Sequence, residues 1–490
     1  MKEEPRYFET LRPLSRSSIW RFMRAFYDRR GLTAWTESTV PSQISNHAGL
    51  AFTYAKLAAA WLDDLRTADA VTLGQTVYAL ELGAGTGRLG YGFLRHYEHA
   101  RRALGLPRIC YVLSDFTETN VEAHRKNPAL RQLAADGLVD FCVFDASKPR
   151  VPILLEARKG LMELVDRSAL LVVANYLFDS LPHDFFKVDK QVLQDGLVSL
   201  SSKDGHEPEY KFREQIEDVK LHFAYARADR PRYNEPLLDR LLDFYRDFDH
   251  ASFLFPAMGL RCIDSLRAMS KGRMLLLTGD KAVTHIEELM GDKEPFVAHH
   301  GSFSVTANYH VLSLYAEMQK GRALLPPPRD GSLTYCVLRF DDRQVPTKRL
   351  ERAFDEAMVQ MSPTDWHTIS WHLADAPQKL EYYLALLRTT GCDPVMLVRF
   401  EKAMLPLAKD ASYRHVDEVV AIVERAADVY LHVRHDDDFL PAASRLLIAF
   451  KAESALATFA HLMESRFAPK VQMTTIVQSA RAALQPKEAP

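Results

Sequence analysis

At 490 residues the chain exceeds one ordinary domain, so two or three are expected. Hydrophobic residues make up 47% and charged residues 26%, a globular balance that can bury a sizeable core. A net charge of -2, from 62 basic and 64 acidic residues, gives no overall electrostatic reason to bind nucleic acid or an anionic membrane.

The first residues, Met1 to Arg6, carry no apolar core of a signal segment. No apolar run approaches the roughly 18–20 residues of a membrane helix. The expectation is therefore a soluble, cytoplasmic chain. Residues 16–28 and 47–66 have helical apolar spacing. Together, residues 1–68 read as an N-terminal helical segment. Short apolar runs then follow at 77–82, 110–114, 140–144 and 169–175, separated by helical stretches near 87–104, 117–135 and 152–166. Continuous apolar strands alternating with helices predict a parallel sheet covered on both faces. Further on, 192–200 reads as a strand, 235–249 and 256–270 as helices, and 273–279 and 334–340 as late strands around the loop at Pro326–Pro328. The strand signal stops near 341–348. Residues 346–490 read as a separate all-α domain of amphipathic helices, with only a weak tetratricopeptide-like period and a frayed tail. The expected class is α/β, Rossmann-like with a mostly parallel sheet over 69–345, plus that helical domain.

The five cysteines, Cys110, Cys142, Cys262, Cys336 and Cys392, are odd in number and form no CxxC pair. They predict neither a disulfide framework nor a zinc site, and a reducing compartment. His299 and His300 lack ligand partners at metal spacing, so no metal is expected.

The most informative segment runs from Val77 to Gly90, VYALELGAGTGRLG. A strand leads straight into Gly83, Ala84, Gly85, Thr86 and Gly87, and a helix follows. Glycines let the chain turn sharply and let a ligand touch backbone. Gly85 to Gly90 also matches the dinucleotide pattern GxGxxG, a weak signal by itself. Counted from Gly83, the helix-packing position holds Arg88, whose bulk opposes that reading. Glu81 discriminates further, because a carboxylate aimed at the loop repels a pyrophosphate and suits the ammonium of a bound amino acid. The segment looks like motif I of an S-adenosylmethionine-dependent methyltransferase, a class I fold. Asp115 follows the second strand and can accept from both ribose hydroxyls. Asp145 follows the third and can accept from the adenine amino group. Each acid alone has a competing reading as a helix N-cap.

Leu171 to Pro182, LVVANYLFDSLP, together with ELGAGTGRL, resembles the MidA-type methyltransferases. That family includes a complex I assembly factor that methylates an arginine. Asn175, Asp179, Leu181 and Pro182 match the family's pattern after its fourth strand. Residues 40–62, the strand at 273–280 and the segment from His300 to Asn308 are similar to other family elements, so the resemblance spans about 15–340. The chain departs from the pattern at Tyr176, where an acid is expected. It departs also at TAWTESTVPS (33–42) and at Thr278-Gly279-Asp280.

The resemblance implies methylation of a protein side chain, an arginine, with Asp179 orienting the acceptor and Asn175 lining the cofactor-side floor. Asp179 also reads as an N-cap. Tyr54 reads as a core aromatic, with the cleft as the alternative. A protein substrate is the expected partner. The C-terminal helices read as a recognition or dimerisation module, or as packing against the catalytic domain. Two other functions stay open: a non-catalytic scaffold that binds a partner through those helices, and a small-molecule methyltransferase with an enclosed pocket.

Overall fold

A computed structural model describes residues 5–37, 40, 43–165, 168–208, 218–299, 302–328, 333–341, 345–373, 379–433 and 438–485. His300, residues 342–344 of the 341–348 boundary and the last residues of the tail lie outside that set.

In chain order the strands are β1 (Tyr7–Pro13), β2 (Thr76–Glu81), β3 (Arg108–Asp115), β4 (Val139–Val143), β5 (Leu170–Asn175), β6 (Asp184–Asp189), β7 (Val192–Ser201), β8 (Lys220–Arg227), β9 (His250–Phe255) and β10 (Met274–Asp280). After them come β11 (Ala282–Val283), β12 (Val297–His299), β13 (Phe303–Val305), β14 (Ala307–Asn308), β15 (Arg322–Leu324) and β16 (Thr334–Phe340). One sheet has seven strands in the order β15-β16-β10-β5-β2-β3-β4. Its β4, β3, β2, β5 and β10 run parallel. At the other end, β16 and β15 pair antiparallel. The chain steps outward from β2 to β3 and β4, then returns to place β5 on the other side of β2. That reversal makes the carboxyl end of β2 a topological switch point, where sheets of this kind bind ligands.

Both faces of this sheet are covered, which is why its strands read as unbroken apolar runs. Side chains alternate between them. Val77, Ala79, Leu171 and Val173 join one core with the helices Ala48–Thr67 and Arg88–Leu104. On the opposite face Leu80, Val112, Leu170 and Val172 join another with the helices Pro236–Phe244, Ala257–Met269 and Tyr309–Met318.

A second sheet was not foreseen from the sequence. It is antiparallel, in the order β1-β7-β6-β9, with β8 on the free side of β7. Its outer side chains, Phe185, Val198 and Leu200, form a third core with Trp20, Phe22 and Met23 of the helix Ile19–Arg30. The helix expected over 152–166 shrinks to Leu161–Leu164, because Pro152 and Gly160 bracket a looped segment. The stretch expected as one helix at 117–135 is two, Glu118–Lys126 and Pro128–Ala135, broken at Asn127-Pro128.

The C-terminal helices share the first core. Phe354, Leu384, Leu397 and Met404 belong to the same apolar cluster as Tyr54, Leu57 and Trp61 of the 48–67 helix. Buried polar contacts fix the junction. Asp64, fully buried, accepts from the Leu350 backbone N–H at 3.2 Å and from Arg349 at 3.3 Å. Asp393 caps two helices at once. It accepts from Val395 and Met396 at the start of Pro394–Met404, and from the Ala48 N–H at 2.7 Å. Four N–H groups at each helix start lack partners within the helix, so both caps count. All five cysteines are buried and unbridged. No helix among the described residues is long and apolar enough to cross a membrane.

Because one side chain closes both helices, Asp393→Ala should lower the unfolding free energy by roughly 1–3 kcal/mol. Urea titration should show one transition for helix and sheet signals alike. Loss of helix signal ahead of the sheet would mean that the two parts unfold independently.

Candidate functional site

The site forms where β2 ends at the switch point. Gly83, Gly85 and Gly87 follow with φ of +68°, +54° and +76°, left-handed values that only glycine adopts freely. Gly87 starts the helix Arg88–Leu104. Three contacts hold the loop: Ala84 N–H donates to Ser114 C=O and Gly87 N–H to Ala84 C=O, both at 2.8 Å, while Ser114 Oγ donates to Glu81 C=O at 2.6 Å. A Cβ on Gly90 would sit 2.5 Å from the Tyr111 ring and 3.0 Å from Glu81 Oε2. The close helix–strand contact that the sequence assigned to the Arg88 position is therefore made by Gly90. The glycine frame alone does not oppose a dinucleotide, and the case rests on Glu81.

Glu81 is 5% exposed at the end of β2. Burial raises its carboxyl to about 8, and the Tyr111 hydroxyl opposes this only in part. Oε2 has no hydrogen-bond partner among the described residues. A buried carboxyl oxygen without a partner is costly, and it stands beside a loop with open space at Gly83, where an added Cβ would touch nothing.

The other sequence candidates divide. Asp115, at the end of β3, is buried and accepts at 2.9 Å from both the Thr117 N–H and its hydroxyl. Burial raises its pKa, offset by Thr117, Asn120 and His124. Asp145, just past β4, is committed elsewhere. It receives two bonds from Arg24, at 3.1 and 3.0 Å, and bonds from the Ser147 N–H and hydroxyl. Burial pushes its pKa up, but Ser147 and Arg24 outweigh it and leave it below the usual value. An adenine-reading role would require Arg24 to yield one of these bonds. Asn175, at the end of β5, accepts from the Tyr54 hydroxyl at 2.7 Å and donates to the Ser45 carbonyl at 3.3 Å. Tyr54 is thus both core and cleft wall.

Asp179 sits on the short turn Phe178–Ser180 and is 6% exposed. It pairs with an acid that sequence reasoning left out of the site, Asp280 at the end of β10. The Asp179 N–H donates to Asp280 Oδ2 at 3.1 Å, and the Lys281 N–H donates to Oδ1 at 2.9 Å. Burial raises Asp179 to about 6, opposed by hydrogen bonds from Ser180, Ser304 and Asp280, and burial with the charge of Asp179 raises Asp280 well above the usual value. Tyr176, at φ +47°, donates its N–H to the Gly279 carbonyl, which locks the two strand ends together.

Two aromatic residues went unread. The Trp35 ring lies 3.6 Å from where a Gly85 Cβ would be, and Tyr27 stacks on it at 5.5 Å. Arg24 lies over Phe116 at 4.5 Å. The N-terminal helices thus cover the loop. His299 ends β12 with its ring edge-on to Phe303, and no cluster of metal-binding side chains occurs among the described residues.

No family model matches the chain, and no curated protein does. Two solved structures of COG1565 superfamily proteins from Burkholderia thailandensis are similar to it. One is of an uncharacterised protein, at 14% identity over 68% of this chain and 88% of the other, with a TM-score of 0.40. The second is of a candidate methyl transferase bound to S-adenosyl-homocysteine, at 16% identity over 64% and 74%, with a TM-score of 0.36. Likeness at that level carries no argument about this chain's chemistry.

Glu81 makes a prediction of definite sign. Its folded pKa of about 8 lies above the ordinary 4.5, so the folded state holds the proton longer than the unfolded state. Stability should fall as pH rises between those values and level off above them. Glu81→Gln should remove a share of that slope worth roughly 2–4 kcal/mol between pH 5 and 8. Parallel urea-unfolding profiles for variant and parent across that range would contradict the assignment.

Proposed function

We propose that the chain is an S-adenosylmethionine-dependent methyltransferase. The observation that carries this reading is the buried carboxyl of Glu81, whose Oε2 has no hydrogen-bond partner among the described residues, set beside a glycine loop at the switch point of the sheet. A diphosphate would gain nothing from the protonated carboxyl and would be repelled by its ionised form. The ammonium of an amino acid would supply the missing partner and draw the Glu81 proton off. The residues present therefore fit the cofactor. Glu81 would hold its ammonium, backbone of Gly83, Ala84, Gly85 and Gly87 would cradle it, Asp115 would accept from the ribose, and Asn175 would line the floor. Asp145 would join only after exchanging part of its bond to Arg24.

When bound, the cofactor supplies an electrophilic methyl group, so the chain's task is mainly to position an acceptor. Asp179 and Asp280 stand at the ends of β5 and β10 for that purpose. Two buried acids that share a proton offer one carboxylate, which carries the negative charge and can take up a proton, beside one neutral carboxyl that can donate. That suits a cationic or protonated nitrogen, held by paired hydrogen bonds and relieved of a proton. An arginine of a protein substrate fits this chemistry and agrees with the MidA-type resemblance.

The competing reading, a scaffold without activity, draws on one observation: Arg24 already fills Asp145, and Trp35 covers Gly85. The two readings part at the first titration. In the active reading, S-adenosylmethionine and S-adenosyl-homocysteine bind with micromolar affinity by calorimetry, and Gly85→Arg, strained at φ +54° and driven into Trp35, abolishes binding. Absence of binding by the parent protein removes the enzyme and leaves the scaffold.

A second outcome concerns the acceptor end. Asp179→Ala should reduce labelled-methyl transfer to lysate proteins by at least about a hundredfold while cofactor affinity stays within threefold. Undiminished transfer would take Asp179 out of the site.

A further inference from the structure

Behind the glycine loop the helix Glu118–Lys126 carries His124, which is 2% exposed. Its Nε2 lies 2.8 Å from the Gly85 carbonyl oxygen. A carbonyl only accepts, so Nε2 bears the proton and donates it. The other ring nitrogen, Nδ1, is buried and has no hydrogen-bond partner among the described residues. Burial holds the ring's pKa below the ordinary histidine value, and the Gly85 carbonyl and Asp115 oppose this only in part. It also supports the loop from below, since a Cβ on Gly87 would meet His124 Cδ2 at 3.6 Å.

The peptide geometry gives this bond a consequence. A trans peptide points its C=O and its N–H in opposite directions. Fixing the Gly85 carbonyl on His124 aims the Thr86 N–H to the opposite side of the loop. With Gly85 at φ +54°, little else in its own torsions restrains that peptide.

We propose that His124 is the positioning residue of the glycine loop: its Nε2–H, bonded to the Gly85 carbonyl, sets the Gly85–Thr86 peptide for the cofactor. The proposal rests on the methyltransferase reading for the identity of the ligand.

Replacement of His124 separates this role from packing. Glutamine can return an N–H to the position of Nε2. Phenylalanine keeps the ring without the donor, and asparagine keeps an amide that is one carbon too short. Calorimetric titration of the full chain with S-adenosyl-homocysteine should show His124→Phe and His124→Asn weakened about ten- to a hundredfold. His124→Gln should stay within a few-fold of the parent. Equal binding by the parent and all three variants overturns the proposal and leaves the cofactor reading intact. Equal weakening of all three, with matching losses of thermal midpoint, also overturns it, because the role is then packing alone. No binding by the parent removes the cofactor reading, and this proposal with it.

Discussion

A helix that is apolar on nearly every side must be covered on nearly every side, and the helix Ala48–Thr67 sets that constraint here. Leu50, Tyr54, Leu57, Trp61 and Leu65 make one stripe, and buried Ala48, Ala51, Ala55, Ala59 and Leu62 carry the apolar surface well round the helix beyond it. The sheet covers one flank and the helix Arg88–Leu104 another. The C-terminal helices close the rest, with Asp64 and Asp393 ending their backbone groups. The parallel sheet and the helical third of the chain are consequently halves of one core. Tyr54, on the same helix, carries that packing to the cleft by holding Asn175.

The site itself is a set of acids placed in dry surroundings at the ends of parallel strands. Glu81, Asp115, Asp179 and Asp280 are each buried and each held above the ordinary carboxylate range, chiefly by loss of water. Such groups are expensive to keep unless a ligand or a partner completes them. Asp115 is completed in part by Thr117, and Asp280 by backbone N–H groups. Glu81 keeps one oxygen, Oε2, without a partner among the described residues, and the functional reading turns on that contrast.

Much of this was legible in the sequence where local pattern and tertiary placement coincide. The parallel strands read as apolar runs because both faces are covered. The loop read as a site because glycines crowd the end of such a run. What escaped was whatever depends on a distant partner. Strand β1 pairs with β7, and β6 with β9, across long intervals, so no local alternation announces the second sheet. Asp145 looked available because its spacing said nothing of Arg24, some 120 residues earlier in the chain. Asp280 was visible in Thr278-Gly279-Asp280 but became an acid pair only when β10 lay beside β5. Trp35 and His124 had no motif at all. The one faint signal was Asn120 and His124, four residues apart on one helical face just after Asp115.

The double cap by Asp393 has a consequence for how the protein is made. The Ala48 N–H and the Asp393 carboxylate are separated by 345 positions in the chain. A ribosome that has finished the entire parallel sheet has still not delivered the group that ends its central helix. The nascent chain must hold an apolar helix exposed on one flank until most of the remainder emerges. Chaperones would meet the protein at that stage, with the 48–67 helix as the surface they bind.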